Sequence, residues 1–185
     1  MYQRQFGLDY NPFATTAQGD QVYSGIRQDK AVAKLKIALS RVDAVVAVVG
    51  PLGIGKSTLA LKAAEAAAGQ ALTAVVPPLR LSEDELLELL IAEFGINSEA
   101  SSNMARFQDL RCFFAEQSQE GYRPIVLIED AATIGVENLV LLDALTAADP
   151  RGHTGASLIL LGDANLPALI DSEKLARLKQ RLRAE

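Results

Sequence analysis

Residues 50–58, Gly-Pro-Leu-Gly-Ile-Gly-Lys-Ser-Thr, have the types and spacing that hold a polyphosphate. The stretch fits G-x-x-x-x-G-K-[ST] without a gap. Gly50, Gly53 and Gly55 lack a Cβ, so the backbone can take unusual dihedrals and come close to an anion. The loop N–H groups and the helix N-terminus then point at the α- and β-phosphates. Lys56 adds a point charge near the β- and γ-phosphates, and the Ser57 hydroxyl is positioned to ligate Mg²⁺. Pro51, Ile54 and Thr58 complete the set of candidate nucleotide contacts.

Hydrolysis asks for carboxylates as well. The apolar run Pro124–Ile128 ends in Glu129-Asp130, at the carboxyl end of a strand, where a parallel sheet presents ligand-facing residues. In an NTPase one such acid holds the Mg²⁺ shell and the other orients or activates the attacking water. Glu129 and Asp130 are the two candidates, one for the metal shell beside Ser57 and the other for the water. Asp163 holds the same topological position on the next strand. It either senses the γ-phosphate through water or caps the following helix. Arg177, Arg181 and Arg183 are candidates to stabilise charge across a subunit boundary.

These residues need a scaffold. Ala44–Val49 reads as a buried strand entering the loop, and Thr58–Ala68, rich in Ala and Leu, as a helix leaving it. A first helix over Arg27–Val42 precedes that strand, with Val32, Leu35, Ala38 and Leu39 at helical spacing. Ala71–Val76 is a second strand. Ser82 and Glu85 form a capping box ahead of a leucine-rich helix that ends at Gly95. A helix over Met104–Gln119 leads to the third strand, Pro124–Asp130. A helix over Glu137–Ala148 leads to the fourth, Ala156–Leu161. A short piece, Asn165–Ile170, precedes a last helix with Leu175, Leu178 and Leu182 as its stripe. Apolar strands alternating with helices give a parallel sheet covered on both faces, the α/β three-layer sandwich of a P-loop NTPase.

The 185 residues suit one domain with a proper core. Hydrophobic residues make up 49% and charged residues 22%, which excludes a disordered chain. The longest apolar runs are too short to cross a bilayer, and the first residues do not resemble a signal peptide. A single cysteine, Cys112, excludes an internal disulfide, so a cytoplasmic location is the default expectation. A net charge of −5 argues against coating nucleic acid with the whole surface. The segment Asp171–Glu185 is nevertheless locally basic. His153, in a Gly-containing turn, reads as an exposed loop residue.

The run Phe6-Gly7-Leu8, Asn11-Pro12-Phe13, Tyr23-Ser24, then GPLGIGKST, LSEDELLELLIAEFGI, GYRPIVLIEDA, LILLGDANL and LARLKQRL resembles the ExeA-like AAA+ ATPases, the general secretion pathway protein A family. The resemblance covers nearly the whole chain. It implies an ASCE-type sheet in the order 5-1-4-3-2, ATP with Mg²⁺, and a homo-oligomer with nucleotide between subunits. It also implies an envelope or secretion partner and work at the inner face of the inner membrane. The same branch resembles transposition helper ATPases that bind DNA, which is the alternative function. By position, Lys56 and Ser57 match the family's P-loop pair, and Glu129 and Asp130 match an acidic pair that the family writes Asp-Glu. Asp163 falls where the family has Gln or Asn, and Arg181 falls on an Arg that acts in trans.

Three departures from the family shape the expectations. The acid order is inverted, so hydrolysis by this chain alone is expected to be slow. Residues 1–25 are expected to form an irregular segment packed on the core, followed by a nucleotide-binding core over 26–185. That core is expected to stop before the fifth strand and the helical lid, leaving Ala44–Val49 as a sheet edge covered by the N-terminal segment or by another subunit.

Overall fold

Strands that are apolar on both faces sit inside a sheet with both faces covered, and the chain builds that arrangement, with Thr73, Arg123 and Ser157 as the polar exceptions. The computed structural model describes residues 25–41, 43–68, 70–148 and 155–184. The N-terminal segment with its FGL and NPF motifs, and the loop carrying His153, lie outside the described residues. Helix α1 spans Ile26–Leu39 and leads to strand β1, Val45–Val49. Helix α2, Lys56–Ala68, leads to β2, Ala71–Val76; helices α3, Glu83–Glu93, and α4, Asn103–Gln119, lead to β3, Arg123–Ile128. The short α5, Ala131–Ile134, and α6, Val136–Thr146, lead to β4, Ser157–Gly162. Helix α7, Leu166–Ile170, a 3₁₀ turn at Glu173–Leu175, and α8, Ala176–Arg181, lead to β5, Leu182–Ala184.

All pairings are parallel and the strand order is β2-β3-β4-β1-β5. The two-residue alternation of a strand divides the core between the two faces. Val46, Ile125, Leu127, Ile159 and Leu161 pack under α1 and α2. Val45, Ala47, Val126, Ile128, Leu158 and Leu160 face α3 to α8. Helix α2 presents Ala60, Ala63 and Ala64 to the sheet, all fully buried. Their small side chains bring the helix close to the strand it follows.

The other face is filled by larger groups. Phe94, Phe113 and Phe114 form a triangle with ring centroids 5.3–6.2 Å apart, within the range where tilted and edge-on rings attract. The capping box at α3 forms as read. Ser82 N–H donates to Glu85 Oε2 at 2.7 Å, and Glu85 N–H donates to Ser82 Oγ at 3.3 Å. The Ser82 backbone N–H, then its hydroxyl, hold the Glu85 carboxyl below the usual carboxylate range. A carboxyl lowered on folding adds stability above its unfolded value and loses it as pH falls through the folded one. The cap therefore weakens only in acid. Ser82→Ala is expected to lower stability by about 1 kcal/mol at neutral pH, read as a shift in thermal midpoint.

The fifth strand corrects an expectation. The chain does not stop before it, because β5 begins at Leu182 and pairs with β1 at Val45 and Val46, with a shift of register between them. The helical stripe expected to run on through Leu182 ends at Arg181, whose side chain is tied to other segments. Leu182 then takes an extended backbone, φ −61 and ψ 125. The first half of the β1 edge is therefore covered by β5, and neither the N-terminal segment nor a second subunit is needed there. No helix among the described residues is long and apolar enough to cross a membrane.

Candidate functional site

The phosphate-loop sequence sits between the end of β1 and the start of α2, at the carboxyl edge of the sheet. The Gly50 N–H donates to the Gly162 carbonyl at 3.1 Å, which ties the start of the loop to the end of β4. Gly53 and Gly55 have φ of +78° and +88°. A Cβ added at either would meet nothing within 4 Å. Glycine is required there by backbone conformation and not by space. Lys56 Nζ donates to the Gly50 and Pro51 carbonyls at 2.8 and 2.9 Å, which holds the ammonium over the loop. Helix α2 starts at Lys56, so the unshared N–H groups of its first turn belong to residues that include Ser57 and Thr58. The helix dipole adds positive potential at that end.

Beside the loop lies a cleft of about 380 Å³ between α1, β1 and α2. Gln28, Ala31, Lys34 and Leu35 line it from α1, Ala47 to Val49 from β1, and Ile54 to Lys56 with Leu59 from the loop and α2. Its walls are mainly aliphatic. Reading the sequence for core periodicity assigned α1 only a packing stripe. The i, i+3, i+7 spacing of Gln28, Ala31 and Leu35 was the available signal that a second stripe faces a ligand-sized space.

The acids follow β3. Glu129 is half-buried and its N–H donates to the Val76 carbonyl at 3.0 Å. Asp130 caps α5: Oδ1 accepts from the Ala132 N–H at 3.3 Å, and Oδ2 accepts from the Thr133 hydroxyl at 2.8 Å. Asp163 is exposed and shapes the turn into α7. Its carboxylate accepts from the Asn165 N–H at 2.9 Å and from Asn165 Nδ2 at 3.1 Å. These contacts do not cap α7, whose N-cap is Asn165 with no side-chain cap bond.

Arg181 is not brought to this edge. It bonds to the Asp43 carbonyl, before the opposite end of β1, and its side chain is only 11% exposed. Its ion pair with Asp143 measures 2.7 Å. All the contacts of this guanidinium are intrachain. Three more cations of this segment are paired, and the side chain of Arg183, the remaining candidate, lies outside the described residues. Lys174 meets Glu137 at 2.9 Å, Lys179 meets Asp171 at 2.8 Å, and the more exposed Arg177 meets Asp143 at 3.3 Å. Lys174 holds the Glu137 carboxyl below its ordinary range.

No group of three or more His, Cys, Asp or Glu among the described residues could hold a metal ion. Mg²⁺ is usually held by one or two protein groups and the phosphates themselves.

The profile of the family described as an AAA domain matches residues 40–170. General secretion pathway protein A of Aeromonas hydrophila is 25% identical over 185 residues, all of this chain and 34% of that protein. The chain thus spans about a third of the length of the curated relative it matches. Among solved structures, the ORC2 protein of Aeropyrum pernix, determined as ADPNP–ADP complexes, superposes with a TM-score of 0.67 at 17% identity. That match covers 94% of this chain and 50% of the other. Cdc6p of Pyrobaculum aerophilum gives a TM-score of 0.73 at 12% identity, covering 94% and 48%. At these identities the two structures speak for the fold, which is the α/β P-loop architecture read from the sequence.

Proposed function

The chain belongs to the AAA domain family, and from that premise we propose that it is an ATP-binding AAA+ domain working as a nucleotide-dependent switch or motor in secretion, pilus or envelope assembly. The observation that carries the nucleotide part is the open-φ loop at Gly53 and Gly55, placed directly beside an aliphatic cleft of about 380 Å³. The loop and the N-terminus of α2 suit the phosphates, and the cleft suits an apolar-faced base. Lys56, now resting on two loop carbonyls, exchanges them for phosphate oxygens. Ser57 and the half-buried Glu129 would hold Mg²⁺, which would supply charge neutralisation to the phosphates. Asp130 is the residue nearest in sequence to a water-activating role, and its commitment to the α5 cap supports slow hydrolysis by this chain alone.

The envelope role, a homo-oligomeric working state and a place at the inner face of the inner membrane rest on the relative in Aeromonas hydrophila. The DNA-helper alternative loses support, because Lys174, Arg177, Lys179 and Arg181 pair with Glu137, Asp143 and Asp171. Titration calorimetry with Mg-ATP tests the leading reading. One saturable site per chain is expected, and no heat with ATP or ADP would overturn it.

A further inference from the structure

We propose that Arg181 is a positioning residue that locks the C-terminal strand and the turn before β1 onto helix α6, so that the C-terminal segment and the strand feeding the phosphate loop move as one body.

Three segments distant in sequence converge on its guanidinium. From α6, Asp143 Oδ1 accepts from Nη1 at 2.7 Å, the Asp143 carbonyl at 3.0 Å, and Thr146 Oγ1 from Nη1 and Nη2 at 3.2 Å. From the turn before β1, the Asp43 carbonyl accepts from Nη2 at 2.9 Å and from Nε at 3.3 Å. Arg181 itself is the last residue before β5. Asp143 is 7% exposed, so both charges are largely out of water.

Two features make this a lock and not merely a contact. Asp43 has φ +63°, the only positive φ at a non-glycine residue among those described. Such a backbone persists where its surroundings over-determine it, and the two bonds to its carbonyl are such a constraint. The strand being held is weakly anchored otherwise. β5 is three residues long and meets β1 at two positions. An uncompensated buried charge is strongly unfavourable, so losing Arg181 leaves Asp143 with only the outer contact to Arg177 at 3.3 Å. β1 runs from this turn to Gly50 and is paired with β4 along its length, so the lock and the phosphate loop share one strand.

Hydrogen exchange on the intact chain without nucleotide tests the lock. Arg181→Ala is expected to speed exchange across Leu182–Ala184 and Val45–Ala47 at least ~10-fold, with the helical signal in circular dichroism retained. Asp143→Ala should give the same pattern, and the double variant should be no worse than either single one. Thr146→Val, which keeps the ion pair, should give a smaller rise and remains usable if the charge variants fail to fold. Unchanged exchange at Leu182–Ala184 in all of these variants would overturn the lock. The link to the phosphate loop rests on the nucleotide reading above and has its own arm. Arg181→Ala and Asp143→Ala should weaken Mg-ATP binding equally. If Asp143→Ala behaves as wild type while Arg181→Ala loses only phosphate release in mixed oligomers, Arg181 acts in trans and the proposal falls. Should the wild type bind no nucleotide, the exchange arm still decides.

Discussion

Lys56→Ala is expected to weaken Mg-ATP binding by about 100-fold or more, leaving no measurable heat at ordinary calorimetric concentrations. The ammonium lies over the loop on the Gly50 and Pro51 carbonyls, within reach of the space between Gly53, Gly55 and the start of α2. A hydrogen bond to a charged group contributes about 1.5–3 kcal/mol, and two such contacts to phosphate oxygens account for a loss of that size. The fold should not suffer. Pro51 is exposed and Gly50 half-buried, so water takes over the carbonyls that Lys56 leaves. The thermal midpoint should therefore stay within a degree or two of wild type, and Lys36→Ala, on the exposed side of α1, should bind as wild type. Equal heats for Lys56→Ala and wild type would remove the loop from the proposed site.

The phosphate loop was legible because its information is local. Three glycines, a lysine and a hydroxyl at fixed offsets between an apolar strand and an alanine-rich helix need no distant partner to be read. Strand identity and the parallel sheet were legible for a related reason, since strands apolar on both faces exclude a solvated face. The functions of Arg181 and Asp130 were not legible. Arg181 finds Asp143 across 38 positions of sequence, and nothing in the basic run around it marks one arginine as buried among five cations. Asp130 shows the opposite limit. Asp followed by Thr133 three residues on is a capping pattern that could have been read.

That local use of Asp130 bears directly on the turnover expected of this chain. Exchanging the two acids, Glu129→Asp with Asp130→Glu, is expected to raise steady-state phosphate release by roughly 10-fold or more, since general-base assistance is worth about 10²–10⁴-fold when fully engaged. In the native chain the shorter carboxylate follows the strand and spends both oxygens on Ala132 and Thr133. To activate a water it must abandon the cap of α5 and still span the distance with one methylene fewer. The exchanged pair puts the longer side chain at that position and the shorter one in the metal shell. The loss of the cap should cost about 1 kcal/mol, visible as a lower thermal midpoint alongside the faster release. Asp130→Ala separates the two roles. If Asp130 only caps α5, release stays at the wild-type rate while the midpoint drops; if it already serves as the base, release falls as well. A double exchange that binds Mg-ATP normally yet releases phosphate no faster than wild type would show that the order of the acids does not limit hydrolysis.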